Sequence, residues 1–176
     1  MSKKTPNIVC IISDDTAPGY LGCYGSGNLT PALDRLAGEG VRFHGAHTAS
    51  PICTPSRYSY FTGRYPGRCP NPDFTRGNPE GAIPNVGFNV SIHPGDPHLG
   101  SVLKSNGYTT GYVGKYHAGR GHEEIGGQPI PNDGDPRDPE ADAVRKANQE
   151  VYREELKRLG WDYAGGVSWA NIDNLE

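Results

Sequence analysis

One five-residue segment combines a nucleophile, a helix start and a fixed cation. It reads C-T-P-S-R and occupies residues 53–57. Pro55 suits the first turn of a helix, and the free backbone N–H groups at a helix N-terminus would attract an anion toward Cys53. Arg57 falls in the same predicted turn. The segment therefore predicts an anion-handling site, and the alternative is a surface loop with a buried, unreactive thiol.

Two adjacent carboxylates follow an apolar run near the start of the chain. Residues 8–12 are apolar and mostly β-branched, which predicts a strand covered on both faces, as in a parallel sheet. Asp14 and Asp15 then fall at its carboxyl end, where open α/β sheets bind ligands. Because adjacent carboxylates repel each other without a cation, the pair predicts ligands for a hard divalent ion, Ca²⁺ or Mg²⁺. The alternative is a solvated acidic turn.

A lysine and a histidine lie two residues apart further along the chain. A strand is predicted over residues 108–113, with Lys115 and His117 at its carboxyl end. Side chains two apart on an extended segment point to the same face, so both could face one site. Alone, such a pair is more often ordinary surface.

The elements that must position these residues are indicated by caps, prolines and glycines. Helices are predicted to begin at Pro31 and to span residues 55–61 and 99–105, with a short strand at residues 41–43. Strands alternating with helices are typical of an α/β fold with a mostly parallel sheet flanked by helices. The longest predicted helix follows an Asp138-Pro139 cap to about Leu159, with Ala141, Val144, Ala147 and Val151 on its apolar face.

Charge and cysteine content exclude several classes of function. The net charge is -3, with 11 Lys/Arg against 7 Asp/Glu in residues 1–120 and 6 against 13 in residues 121–176. A mildly positive first part suits a small anionic substrate and lacks the basic face that nucleic-acid binding needs. The cysteines show no C-x-x-C spacing, so a zinc site and a thioredoxin-like pair are not indicated. They are Cys10, Cys23, Cys53 and Cys69.

No apolar run is long enough for a membrane span or a signal peptide. The expected location is therefore cytoplasmic as the sequence is written, or periplasmic or secreted if a leader was removed.

Several blocks of the chain resemble the sulfatase family, whose signature is C-x-P-S-R. The signature reads C-T-P-S-R here, and two further blocks match in the family's order, N-I-V-C-I-I-S-D-D at residues 7–15 and G-Y-T-T-G-Y-V-G-K-Y-H at residues 107–117. The resemblance covers residues 6–119, including residues 30–37 and 62–66. It implies an alkaline-phosphatase-like sulfatase fold, incomplete in this chain.

The resemblance also implies a chemistry. Cys53 would be oxidised by a maturation enzyme to formylglycine, whose hydrated aldehyde carries two hydroxyls on one carbon. In the family, one hydroxyl attacks sulfur and the alcohol leaves. The second hydroxyl then loses its proton and expels sulfate by regenerating the aldehyde, which divides covalent catalysis into two easier steps. Arg57 would hold the hydrated form, Lys115 would bridge residue 53 and the sulfate, and His117 would contact the nucleophile's hydroxyl. Residue 53 would also be a metal ligand with the Asp14-Asp15 pair.

The resemblance leads to a functional hypothesis with two alternatives. The expected function is a sulfuric ester hydrolase, arylsulfatase-like, acting on an aryl or carbohydrate sulfate through formylglycine and a divalent metal, most simply Ca²⁺. One alternative keeps the machinery but cleaves phosphonate or phosphate esters. The other is an inactive, truncated anion-binding or interaction module.

The family's catalytic domain is longer than this chain, and its later part supplies two more metal ligands, a His and a Lys. Residues 1–176 are therefore expected to be the N-terminal portion of one catalytic domain and to be inactive alone.

Overall fold

A computed structural model of the chain describes residues 5–121, 123–131, 135 and 137–169. The chain folds as two compact units, residues 1–47 and residues 48–176. No helix within the described ranges is both long and apolar enough to cross a bilayer.

The second unit is organised around a β-α-β arrangement. Strand β1 (Gly111–Lys115) is followed by helix α5 (Pro139–Leu159) and then by strand β2 (Tyr163–Ser168). The two strands pair in parallel, with Gly111 opposite Tyr163 and Lys115 opposite Ser168. The parallel sheet with flanking helices confirms the predicted α/β class, and β2 is an element that the sequence reasoning did not predict.

Three shorter helices complete the second unit: α2 (Cys53–Thr62), α3 (Pro72–Gly77) and α4 (Leu99–Ser105). Helix α4 has the predicted bounds, α2 begins two residues earlier than predicted, and α3 falls where only a loop was expected. Short 3-10 turns occur at Pro66–Arg68 and Glu123–Ile125.

The core of this unit is rich in aromatic side chains. Tyr112 of β1 lies edge-on to Trp161, with 5.3 Å between ring centroids, and to Phe61 of α2 at 5.8 Å. Edge-to-face geometry is favourable because the positive ring edge meets the negative ring face. These contacts join the helix that carries residues 53–57 to the sheet.

Helix α5 begins at the predicted cap, since the Asp138 carboxylate accepts hydrogen bonds from the backbone N–H groups of Glu140 and Ala141. The predicted apolar face is partly confirmed, since Ala141 is buried and Val144 and Val151 are half-buried. Ala147 is exposed, whereas Asn148 and Tyr152 are buried. The spacing of small aliphatic residues did not identify the large and polar side chains that the helix buries. They are Asn148, Tyr152, Glu155, Leu156 and Leu159.

The first unit contains helix α1 (Pro31–Glu39) and two 3-10 turns, Pro18–Tyr20 and Gly22–Tyr24. Helix α1 confirms the predicted start at Pro31. Thr30 does not cap it through its side chain. Instead its hydroxyl accepts from Gly22 N at 2.8 Å and donates to the Asp34 carboxylate at 2.9 Å.

Two predicted strands of the first unit were wrong. Residues 8–12 and 41–43 form no strand, and Val9 and Ile11 are more than four-fifths exposed. The sheet of the described chain consists of β1 and β2 alone. An apolar run becomes a buried strand only when neighbouring strands pair with it and other elements cover its faces, and neither condition can be read from the run itself.

Substituting Gly100→Ala will test the packing of α4 against the core. A Cβ atom at this position would lie 2.6 Å from Cε2 of Trp161, so the aromatic core must shift. We expect a loss of about 1–3 kcal/mol in the free energy of unfolding, measured by urea titration. Ser105→Ala, an exposed position on the same helix, is the control and should change it by less than about 0.5 kcal/mol. Equal stability of the two variants would contradict the close packing.

Candidate functional site

Cys53 is the first residue of α2 and is half-buried. The preceding residue, Ile52, has extended backbone angles, and its carbonyl accepts the first helical hydrogen bond from Ser56 N at 3.1 Å. Pro55 therefore lies inside the first turn, where its missing N–H costs no hydrogen bond because the first N–H groups of a helix have no partner within it. The residue 53 side chain is thus placed at the positive end of the helix dipole.

Arg57 joins this helix to the end of the sheet. Its Nη1 donates a 2.7 Å hydrogen bond to the backbone carbonyl of Lys115, 58 residues along the chain. The Arg57 side chain is buried, and the same carbonyl accepts a 2.6 Å hydrogen bond from the Tyr112 hydroxyl. The two motif blocks that the sequence suggested are therefore connected by a direct bond.

The backbone changes conformation where β1 ends. The register with β2 shifts between Val113 and Lys115, and the intervening Gly114 has a φ of 97°. Tyr116 N still donates to Ser168 O at 2.8 Å, and His117 then adopts a φ of 43°. Since bulges re-aim side chains, the simple alternation that was expected to place Lys115 and His117 on one face does not hold past Lys115.

His117 is buried and contacts two aromatic rings. The ring of Phe88 stacks on the imidazole with a centroid distance of 5.6 Å and an interplanar angle of 24°. Trp169, the residue after β2, lies edge-on at 4.9 Å. These contacts were not anticipated, because Phe88 comes from a Gly- and Pro-rich segment whose sequence gives no regular period.

Asp14 and Asp15 lie in the first unit, in a turn and not at the end of a strand. The Thr16 hydroxyl donates to the backbone carbonyl of Asp14 at 3.1 Å and pairs with the Ser13 hydroxyl at 2.5 Å. Asp15 has a φ of 51°, in the left-handed region that aspartate tolerates better than most residues. Both carboxylate side chains are exposed.

The donor atoms of this turn meet part of what a divalent cation requires. Two carboxylates have the right chemistry for Ca²⁺ or Mg²⁺, which take oxygen ligands. Within the described ranges, no group of three or more His, Cys, Asp or Glu side chains is arranged to hold a metal ion. The pair is therefore at most part of a coordination shell.

The protein-family model for sulfatases matches residues 6–134. The chain belongs to the sulfatase family. This confirms the resemblance drawn from its motif blocks, and the match includes the helix start at residue 53 and the strand end at residues 115–117.

Several known sulfatases are similar to this chain over most of its length. The chain is 38% identical to the N-acetylgalactosamine-6-O-sulfatase of Bacteroides thetaiotaomicron over 135 residues, which are 74% of this chain and 25% of that protein. It is 43% identical to the steryl-sulfatase of Rattus norvegicus over 115 residues, 65% of this chain and 19% of that one. Human arylsulfatase D is 35% identical over 161 residues, 81% of this chain and 27% of that one.

A solved structure agrees with the fold. It comes from work on the metabolism of multiple glycosaminoglycans by Bacteroides thetaiotaomicron, and it superposes with a TM-score of 0.64 at 33% identity. The match covers 98% of this chain and 30% of that chain. This sulfatase chain thus spans between about a fifth and a third of the length of the relatives it matches.

The buried tyrosine beneath Lys115 will make stability depend on alkaline pH. Burial raises the pKa of Tyr112 to about 12, against the opposing effect of the nearby Arg57. The unfolded chain loses this proton near pH 10, so the stability that the protonated hydroxyl contributes is complete below pH 10 and is lost between pH 10 and about 12. We expect the free energy of unfolding to fall across this window, and to fall less steeply in Tyr112→Phe. An unchanged slope in the variant would contradict this.

Proposed function

We propose that the chain is the N-terminal portion of one catalytic domain of a sulfuric ester hydrolase that cleaves aryl or carbohydrate sulfate esters. The observation that carries the proposal is the Arg57–Lys115 hydrogen bond, which joins the C-T-P-S-R helix to the Lys-x-His segment within the region that matches the family. The names of the relatives, which refer to sulfated sugar, steryl and aryl compounds, support the substrate class. The short coverage of those relatives supports a longer domain.

Residue 53 is the proposed nucleophile. When a maturation enzyme has oxidised Cys53 to formylglycine, the hydrated side chain supplies a hydroxyl that can attack sulfur. The first turn of α2 directs its N–H groups and dipole toward the same side chain, which favours a negatively charged sulfate there. Helix α2 therefore both orients the nucleophile and attracts the substrate.

The cationic residues are proposed to hold the sulfate and the developing charge. Arg57 is anchored through Nη1 to the Lys115 carbonyl, which fixes the plane of its guanidinium group. The Lys115 ammonium is proposed to contact residue 53 and the sulfate oxygens, and His117 the nucleophile's hydroxyl. The imidazole of His117 packs against the rings of Phe88 and Trp169, which limits its freedom to rotate and suits a group that must move a proton at a defined position.

Asp14, Asp15 and residue 53 are proposed as ligands of a divalent cation, Ca²⁺ in preference to Mg²⁺. When bound, such an ion would polarise the sulfate and stabilise an ionised hydroxyl. The chain's contribution is the pair of adjacent carboxylates, whose mutual repulsion a cation relieves. The remaining ligands are expected from other parts of the longer domain.

Cys53→Ala in the full-length protein will test the nucleophile. Hydrolysis of 4-nitrophenyl sulfate should fall by a factor of more than about 10³, because the substituted side chain cannot form the attacking hydroxyl. Cys23→Ala, at a half-buried cysteine outside the three motif blocks, is the matched control and should retain turnover. Peptide mass analysis of the unsubstituted protein should show an aldehyde at residue 53. An intact thiol in a protein without turnover would instead support a non-catalytic module.

Matched 4-nitrophenyl esters of sulfate and phosphate will separate the two hydrolase hypotheses. A larger kcat/KM for the sulfate ester supports the proposal, since the ratio compares how well the site stabilises the two transition states. A larger kcat/KM for the phosphate ester would assign the same residues to a phosphoester hydrolase.

Removing the metal should abolish turnover by the full-length protein. After chelation, Ca²⁺ is expected to restore activity at a lower concentration than Mg²⁺, because a site built from carboxylates with flexible geometry suits the larger ion. Asp14→Asn should raise the Ca²⁺ concentration needed for half-maximal activity by at least about tenfold, through loss of one charged ligand. Asp34→Asn, in the same unit, is the control. An equal effect in both variants would argue against the ligand assignment.

A further inference from the structure

An exposed aromatic ring lies directly against the histidine of the site. Phe88 is 66% exposed, although one face of its ring is stacked on the imidazole of His117 at a centroid distance of 5.6 Å. The exposed area must therefore belong to the opposite face and the ring edges. A single exposed apolar ring is common on protein surfaces, so the distinguishing feature of Phe88 is its contact with the buried imidazole of His117.

The backbone around Phe88 is held by specific hydrogen bonds. Gly87 N donates to the Asn89 side-chain oxygen at 2.8 Å, and the Asn89 amide donates to Asn85 O at 3.0 Å. The next residue, Val90, is fully buried, which anchors the segment in the core. The ring is thus presented by a structured loop and needs little ordering to meet a ligand.

The same segment is tied to the residue that follows His117. Ile92 N donates to the Ala118 carbonyl at 2.9 Å, so the loop and the Lys-x-His segment are fixed relative to each other. His117 also contacts Trp169, which stacks on Tyr152 with a centroid distance of 5.8 Å and an interplanar angle of 7°. The imidazole is therefore supported from the core side, and the open face of Phe88 is not needed to hold it.

We propose that Phe88 forms part of the leaving-group subsite and stacks on the flat apolar face of a ring-bearing sulfate ester. The inference rests on the proposed function, because it takes His117 as a group beside the nucleophile. A ligand ring stacked on the open face of Phe88 would be separated from the imidazole of His117 by the Phe88 ring itself. Aryl rings and pyranose rings both offer such a face, whereas an acyclic alkyl sulfate does not.

Phe88→Leu in the full-length protein tests this with three substrates: 4-nitrophenyl sulfate, a pyranose 6-sulfate and propyl sulfate. Each kcat/KM is compared with that of the unsubstituted protein, which cancels the intrinsic reactivity of the ester. We expect the ratio of ring to acyclic values to fall roughly 3- to 10-fold, the loss that one aromatic contact produces. The ring-bearing substrate whose kcat/KM falls identifies the preferred ring as aryl or pyranose. Phe88→Tyr keeps an aromatic ring and should leave the ratio unchanged. Ile83→Ala, at a residue that is 97% exposed, is the control and should not change the ratio either.

Two outcomes would overturn the inference while leaving the sulfatase proposal intact. One is an unchanged ratio in Phe88→Leu. The other is an equal loss for all three substrates together with an altered pH profile, which would mean that Phe88 acts only by positioning His117.

If the unsubstituted protein hydrolyses none of the esters, binding of phenyl sulfate and propyl sulfate is measured by saturation-transfer NMR. Weaker binding of phenyl sulfate alone in Phe88→Leu would retain the ring subsite and reject the hydrolase proposal. Equal binding by both proteins would overturn both.

Discussion

The backbone carbonyl of Lys115 is the point on which the candidate site depends. It accepts hydrogen bonds from the Arg57 guanidinium and the Tyr112 hydroxyl, at 2.7 and 2.6 Å, and so uses both of its lone pairs. Arg57 is buried, and a buried charge is costly unless it is hydrogen-bonded. The bond therefore satisfies two groups at once and fixes the start of α2 against the end of β1.

Two of the residues proposed to do chemistry have a left-handed backbone conformation. Among the described residues, Asp15 and His117 are the two non-glycine positions with positive φ, at 51° and 43°. Such conformations persist only where surrounding contacts determine them. At His117 these contacts are visible, since the residues before and after it make backbone bonds to Ser168 and Ile92. The geometry of the histidine is thus imposed by β2 and by the loop that carries Phe88.

The sequence predicted best where local chemistry determines structure. Prolines, caps and glycines located α1, α4 and α5, because their signals lie within a few residues of each terminus. The strand predicted at residues 8–12 was wrong, because a buried strand requires partner strands that an apolar run does not specify. Strand β2 was missed because Gly165 and Gly166 interrupt its apolar pattern. The contacts of Arg57 and Phe88 link residues distant in sequence, and spacing alone cannot reveal them.

The Asp14-Asp15 pair is held in place differently from the proposed site residues of the second unit. None of the described residues up to position 47 is buried, so packing does not hold the Asp14-Asp15 turn as it holds His117. The turn is supported instead by a local hydrogen bond from the Thr16 hydroxyl. Preorganised ligand sites need side chains locked by packing and by further hydrogen bonds. The metal proposal and the longer-domain proposal therefore depend on each other, because the residues that complete the coordination shell would also have to cover the exposed apolar run that precedes the carboxylates.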